Sequence, residues 1–217
     1  MARPNRFIAH VLLDGKPEIA HVKNTGRCRE LLLPGARVVL VRHPLNTGRK
    51  TDFSLIAVWK GDRLFNIDSQ APNQVWHEAL LRGIPGLPTF QHIRREVFFG
   101  ESRLDFFAQA GGEPAYMEIK GVTLEENGVA MFPDAPTARG QKHLRALTRA
   151  RKKGMLAYAI FIIQTKGVTR FTPNAVTDPA FSAALRDAAH AGVQTLAFDC
   201  RTSPDTLDLG EPVPVDL

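Results

Sequence analysis

Cysteine is scarce in this sequence: Cys28 and Cys200 are its only two, and they lie far apart in the chain. Two isolated thiols cannot build a disulfide framework or a thiolate metal cluster, and they point to a reducing, cytoplasmic setting. Long apolar runs are lacking too. The longest, Met155 to Ile163, falls well short of the roughly 20 residues a membrane helix needs, so no membrane span is expected. The opening Met-Ala-Arg-Pro-Asn-Arg carries charge with no apolar stretch behind it of the kind a secretory signal requires, so export is not expected. The chain also has no Walker loop, no G-x-G-x-x-G, no G-x-S-x-G and no zinc-spaced Cys/His set. Nucleotide-cofactor and serine-hydrolase readings therefore lack support.

What is present is a chain of 217 residues, 44% hydrophobic, long enough for one large domain or two small ones. Its net charge of +6 favours a polyanionic partner. The excess is spread unevenly. Residues 1–80 hold 12 Lys/Arg against 7 Asp/Glu, whereas Asp199 to Leu217 carries five acids and one arginine. Both main parts are basic and the tail is acidic. With Pro204, Pro212 and Pro214, the tail reads as a loosely ordered terminus.

Residues 1–82 read as an all-β unit with a connecting helix. Strand-like runs occur at Phe7 to Leu13, Glu18 to Val22, Arg37 to Val41, Phe53 to Trp59 and Leu64 to Ile67, with Asp14-Gly15 and Gly61-Asp62 as hairpin turns. Arg29 to Leu33 is the one candidate for a helical turn here. Five short strands suggest an OB-like barrel, a fold that often binds oligonucleotides. Asn73 to Arg82 is the helix, with Asn73 as N-cap. Residues 83–217 then read as three strands, a helix from Thr137 to Lys153, a buried central strand from Met155 to Gln164, a helix from Pro179 to Ala191 and a last strand at Val193 to Phe198. Strands joined through helices imply a mixed sheet covered on both faces.

The densest chemistry lies on a hairpin. Ser102-Arg103-Leu104-Asp105-Phe106 and Tyr116-Met117-Glu118-Ile119-Lys120 flank Gly111-Gly112. A two-residue glycine loop sets Asp105 opposite Glu118, and a loop from Gly111 to Pro114 sets it opposite Lys120. Either register leaves both acids and the lysine on one face, because side chains alternate with period two. Facing carboxylates destabilise a sheet by up to about 1 kcal/mol. They call for a cation, which Lys120 supplies in part and a divalent metal such as Mg²⁺ would complete.

Asp105 with Glu118-Ile119-Lys120 resembles the PD-(D/E)XK nuclease superfamily. Longer phrases, among them Asn24-Thr-Gly-Arg27, Ser102-Arg-Leu-Asp-Phe106, Glu118-Ile-Lys-Gly-Val-Thr-Leu124, Phe132-Pro-Asp-Ala-Pro-Thr137 and Arg139-Gly-Gln-Lys-His-Leu144, are similar to the sugar fermentation stimulation protein A (SfsA) family. That resemblance implies an N-terminal OB-like domain, a C-terminal PD-(D/E)XK-like α/β domain, DNA as partner, and a part in regulating sugar (maltose) metabolism. Asp105 and Glu118 would hold Mg²⁺ or Mn²⁺, and Lys120 would orient water or stabilise charge on phosphorus. Gln141 resembles the helical glutamine of some PD-(D/E)XK members.

Other residues carry two readings each. Glu78 is a further acid of the site or a solvated helix residue. Asp134, in Phe-Pro-Asp-Ala-Pro, aims a carboxylate into the cleft or only forms a turn. Lys142, Arg145, Arg149 and Lys152 recur along one face of their helix as a single-sign stripe fit for phosphate contact, joined by Arg103 and Arg139. His143 reads as a packing or surface histidine. The repeated Asn-Thr-Gly-Arg at 24–27 and 46–49 forms turns, or phosphate-binding loops in which Lys23, Arg27, Arg29, Arg49 and Lys50 add charge. Phe53, Trp59, Phe65 and Trp76 are candidates for base stacking or core. Three functions compete: a Mg²⁺-dependent DNA nuclease, a catalytically inactive DNA-binding regulator on the same fold, and a sugar- or protein-binding module.

Overall fold

Glycine pairs in left-handed conformations set the strand pairing of this protein, seen in a computed structural model that describes residues 2–24, 26–44 and 48–217. Gly111 and Gly112 have φ of 59° and 88°, as a two-residue type I′ turn requires, and Ala110 faces Glu113 across them. Of the two registers open to the hairpin, this one sets Asp105 toward Glu118.

The first unit contains β1 (Ala2–Asn5), β2 (Ile8–Leu13), β3 (Lys16–Val22), β4 (Val38–Arg42), β5 (Phe53–Lys60) and β6 (Arg63–Asn66). They pair in the order β1-β2-β3-β5-β4, with β6 on β5. Alternation turns Ala9, Val11, Ala20 and Val22 onto one core with Leu55 and Phe65. The five expected strands are present. A sixth, β1, was not anticipated, because Arg3-Pro4-Asn5 has no apolar pattern and is held by pairing with β2 at the sheet edge, where proline is tolerated. Arg29 to Leu33 forms turns, with the Leu32 amide bonded to the Cys28 carbonyl as in one turn of helix.

Helix α1 (Ala71–Arg82) follows, then β7 (Phe90–Phe99), β8 (Ser102–Ala110), β9 (Glu113–Val122), β10 (Leu124–Glu126), β11 (Val129–Phe132), α2 (Ala138–Lys152), β12 (Leu156–Ile163), β13 (Arg170–Pro173), α3 (Pro179–His190), β14 (Gln194–Thr202) and β15 (Leu207–Pro212). The main sheet runs β15-β14-β12-β9-β8-β7, with β12 parallel to both its neighbours. Its apolar, β-branched sequence fits that doubly covered place. On one face α1 buries Val75, Trp76, Ala79 and Leu80 against Phe106, Met117 and Ile160. On the other, α2 and α3 bury Leu144, Leu147, Phe181 and Leu185 against Phe161. Helix α1 thus belongs to the core of the second unit, and the junction falls before it rather than at residue 82. A small third sheet, β10-β11-β13, lies beside the main one.

Two further expectations are corrected. The acidic tail is ordered: β15 pairs antiparallel with β14, Val213 is buried, and Pro214 and Asp216 exchange backbone hydrogen bonds with Phe171. Helix α1 has Gln70 at its N-cap with no side-chain cap, and Asn73 spends its amide elsewhere. No helix among the described residues is long and apolar enough to cross a membrane.

The two units are joined by buried polar contacts. Glu125, 2% exposed, accepts from Lys60 Nζ at 3.1 Å, from Arg63 Nη2 at 2.5 Å and from the Gly128 amide at 2.6 Å. Gln164 Nε2 donates to Asn66 Oδ1 and to the Asp68 carbonyl, both at 3.0 Å. Burial works to raise the Glu125 carboxyl, but the Gly128 amide and the two cations outweigh it and hold the group below its ordinary 4.5. A carboxyl depressed in the folded state adds stability above its unfolded pKa and loses it as pH falls through the folded one. Glu125→Gln should therefore cost about 2 kcal/mol at pH 7, lowering Tm by roughly 4–8 °C. The gap to the wild type in a thermal melt should narrow below the ordinary carboxyl range.

Candidate functional site

The ladder between β8 and β9 ends at the pair Phe106↔Met117. Beyond it the strands part, and Asp105 stands in the fork. Its Oδ2 accepts the Ile119 amide at 2.8 Å, and its Oδ1 accepts Asn73 Nδ2 from the start of α1 at 3.1 Å. Strict alternation breaks here as well: Leu104 joins the core under α2, whereas Phe106, two residues on, joins the core under α1. Asp105, Glu118 and Lys120 nevertheless line one cleft of about 550 Å³. Arg6, Asn24 and Gly26 of the first unit line it too, facing residues 132–137 and Arg139 of the second.

Glu118 is 3% exposed. Its Oε1 accepts from Lys120 Nζ at 2.5 Å and shares a hydrogen bond with Nδ1 of His143, itself 5% exposed on α2. Its Oε2 is buried and has no protein partner. Burial tends to raise the Glu118 carboxyl, yet Lys120 and His143 outweigh it and hold the group below 4.5. Asp105 goes the other way: burial first, then the Glu118 charge, push it above 3.8 against Lys120, the Ile119 amide and Asn73. Two neighbouring carboxyls driven apart in this way mark a site in need of positive charge.

The donor set suits a hard divalent cation. Asp105 and Glu118 line a polar cleft and offer carboxylate oxygens, one of them the unpartnered Oε2 of Glu118, which is what Ca²⁺ and Mg²⁺ take. Among the described residues no group of three or more His, Cys, Asp or Glu gathers as a metal cluster, so the two acids would share any cation with waters and substrate.

The remaining expected residues are scattered around this centre. Asp134 lines the cleft and accepts the Arg27 amide on Oδ2 at 2.8 Å. Gln141 does not reach the carboxylates; its amide lies 3.3 Å from Asp178, the N-cap of α3. Glu78 pairs with Gln74 in a separate cavity beside α1. Arg103 is exposed on β8, 3.6 Å from Glu96. Lys142, Arg145, Arg149 and Lys152 are exposed along α2, opposite buried Leu144, Leu147 and Ala150. Arg27, Arg29 and Lys50 are exposed, and Arg49 lies 3.3 Å from His43. Thr25, Asn46 and Thr47 lie outside the described residues. Phe53, Phe65 and Trp76 are core, and Trp59 packs under Arg37. Sequence reasoning missed Asn73, Arg6 and the role of His143. A signal existed for His143, which shares the inward i, i+4, i+7 row with Leu147 and Ala150.

The architecture defines a class: an OB domain joined to a mixed α/β domain, with an acid-acid-lysine cleft between them. Residues 1–67 match the family model described as the SfsA N-terminal OB domain, and residues 70–206 match that of the sugar fermentation stimulation protein RE domain. The chain belongs to the sugar fermentation stimulation protein family. A homologue from Desulfitobacterium hafniense is 52% identical over 100% of this chain and 94% of its own length. One from Clostridium botulinum is 49% identical over 99% of this chain and 94% of its own. The structure of Pyrococcus furiosus SfsA in complex with Ca²⁺ is similar at a TM-score of 0.89 and 28% identity, covering 99% of this chain and 93% of that one.

A raised Asp105 carboxyl means that its charged form opposes folding at neutral pH, and that the penalty fades as pH falls through the folded pKa. Asp105→Asn should accordingly raise the metal-free Tm at pH 7 by roughly 2–4 °C, for about 1 kcal/mol. That gain should vanish on acidification; a variant that melts below the wild type at pH 7 would contradict this reading of the site.

Proposed function

We propose that this chain is a DNA-binding phosphodiesterase that works with a divalent cation, Mg²⁺ or Mn²⁺, in the cleft between its two domains. One observation carries the reading: the buried Oε2 of Glu118 has no partner and sits in the same cleft as a carboxylate, Asp105, already strained toward its neutral form. The archaeal relative in complex with Ca²⁺ supports it. Asp105 and Glu118 would hold the cation, which when bound polarises phosphate and lowers the pKa of water.

The chain's own residues supply the rest. Lys120 keeps Glu118 charged and presents an ammonium where negative charge builds on phosphorus. His143 secures Oε1 of Glu118 together with Lys120, leaving Oε2 without a protein partner. Arg6 and Arg139 face the cleft from opposite domains and suit the phosphates flanking the scissile one. The exposed cations of α2 suit the backbone beyond. A part in controlling sugar use, in the reducing cytoplasm that two free, buried cysteines fit, would act through this DNA contact.

A second reading draws on one feature, the hydrogen bonds with Lys120 and His143 that already occupy Glu118 Oε1: the domain binds DNA and does not cut it. Purified protein incubated with single- and double-stranded DNA and Mg²⁺, beside Asp105→Ala, separates the two. Metal-dependent cleavage that Asp105→Ala abolishes is expected. DNA binding without such a difference would favour the platform. Saturating Mg²⁺ should raise the wild-type Tm, by about 2.7 kcal/mol of stabilisation at a hundredfold excess over Kd, and leave Asp105→Ala unmoved. Replacing Lys142, Arg145 and Arg149 together by alanine should weaken DNA binding across sequences and flatten its salt dependence by about one unit of slope per charge.

A further inference from the structure

The form of DNA that the cleft accepts depends on its walls. We infer that it takes a single strand and excludes intact duplex, with the Asp134 contact to the 24–27 loop as the element that enforces this. The inference rests on the DNA-binding part of the proposed function.

The cleft closes on one side across the domains. Asp134 Oδ2 accepts the Arg27 amide at 2.8 Å, and the loop is pinned from behind by Asn24, whose Nδ2 donates to the Ile67 carbonyl at 2.7 Å and whose Oδ1 accepts the Gly26 amide at 2.6 Å. The approach is so close that a Cβ on Gly26 would lie 2.5 Å from Asp134 Oδ2. The carboxylates lie at the floor, Glu118 only 3% exposed. A volume of about 550 Å³ is in the class that holds one small ligand, roughly 300–1,000 Å³, the scale of a nucleotide or two.

Duplex DNA is gripped by elements that project into its grooves, and here Glu118 is almost wholly covered while Asp134 and the Arg27 amide bridge one side of the cleft. A single strand can lower one phosphate to the floor and lay a base on Leu124, Met131 and Phe132, which line the cleft. A second cavity of about 310 Å³ shares Asn24 and Ser69 with the first and has Arg49 and Lys23, the latter paired with Asp68, in its lining, so Arg49 offers the strand a cation onward over the OB domain.

The test uses one labelled oligonucleotide, free or annealed to its blunt complement, with binding read by fluorescence anisotropy in Ca²⁺ and cleavage read in Mg²⁺. The single strand should bind about tenfold or more tighter than the duplex, which must unpair to enter. Asp134→Ala should narrow that ratio by about threefold or more through improved duplex binding, the scale of one hydrogen bond lost. Equal or tighter duplex binding by the wild type overturns the inference, and it leaves the nuclease reading intact if Asp105→Ala still stops cleavage. Single-strand preference without metal-dependent cleavage upholds the inference and removes the catalytic reading. Failure to bind either form overturns both. Should Asp134→Ala not fold, the wild-type ratio decides alone.

Discussion

Everything at the centre of this molecule depends on how one backbone amide is satisfied where two strands part. A buried N–H left without an acceptor costs roughly 1–3 kcal/mol, so a sheet cannot simply stop pairing in its interior. When β8 leaves β9 after Phe106↔Met117, the Ile119 amide turns to the carboxylate of Asp105. That acid therefore completes the sheet and faces the cleft at once. Its place is held by the main chain of the next strand, a firmer anchor than a rotamer. Asn73 ties the same group to α1, so helix, fork and acid are registered together.

The cleft is a property of the pair of domains. Its floor comes from β9 and its walls from the OB loop at 24–27 and the segment before α2. Three polar links fix the walls relative to each other: the Glu125 ion cluster, the Gln164 amide across the junction, and Asp134 on the Arg27 amide. Such links contribute little as isolated surface contacts; here the Gln164 amide is buried, the Glu125 cluster half-buried and the Asp134 contact exposed, and together they specify one arrangement. The charge pattern inside is similarly settled from two sides. Lys120 on the strand and His143 on the helix take one oxygen of Glu118 and leave the other bare.

Much of this was legible in the linear sequence because local rules and global fold agree there. Gly111-Gly112 marks a tight turn and narrows the pairing to two registers; Thr137 caps α2, accepting the Gly140 amide; the β-branched run at 156–163 becomes a central parallel strand. The misses share a cause, namely tertiary partners overruling local pattern. β15 carries acids and prolines and exists because β14 offers it a paired edge. Asn73 has the chemistry of a cap and is diverted to Asp105. Gln141 is drawn to the N-cap of α3. The period-two argument put Asp105, Glu118 and Lys120 on one face, and they do line one cleft although alternation fails at Asp105, where the strand passes between its two cores.

The ordered tail has a consequence for the timing of synthesis. Strands β1 to β6 and their core are complete within residues 2–67, so the OB domain has all its parts early. The second domain does not. Its sheet is closed at one edge by β15, and Pro214 and Asp216 bond back to Phe171, whose ring stacks on Phe161 of the central strand. Domains fold in order as a chain emerges. The acid pair thus emerges well before β15 and the segment to Asp216, yet it cannot be clasped into its finished sheet until they follow. A half-made chain would carry the residues of the cleft without the cleft.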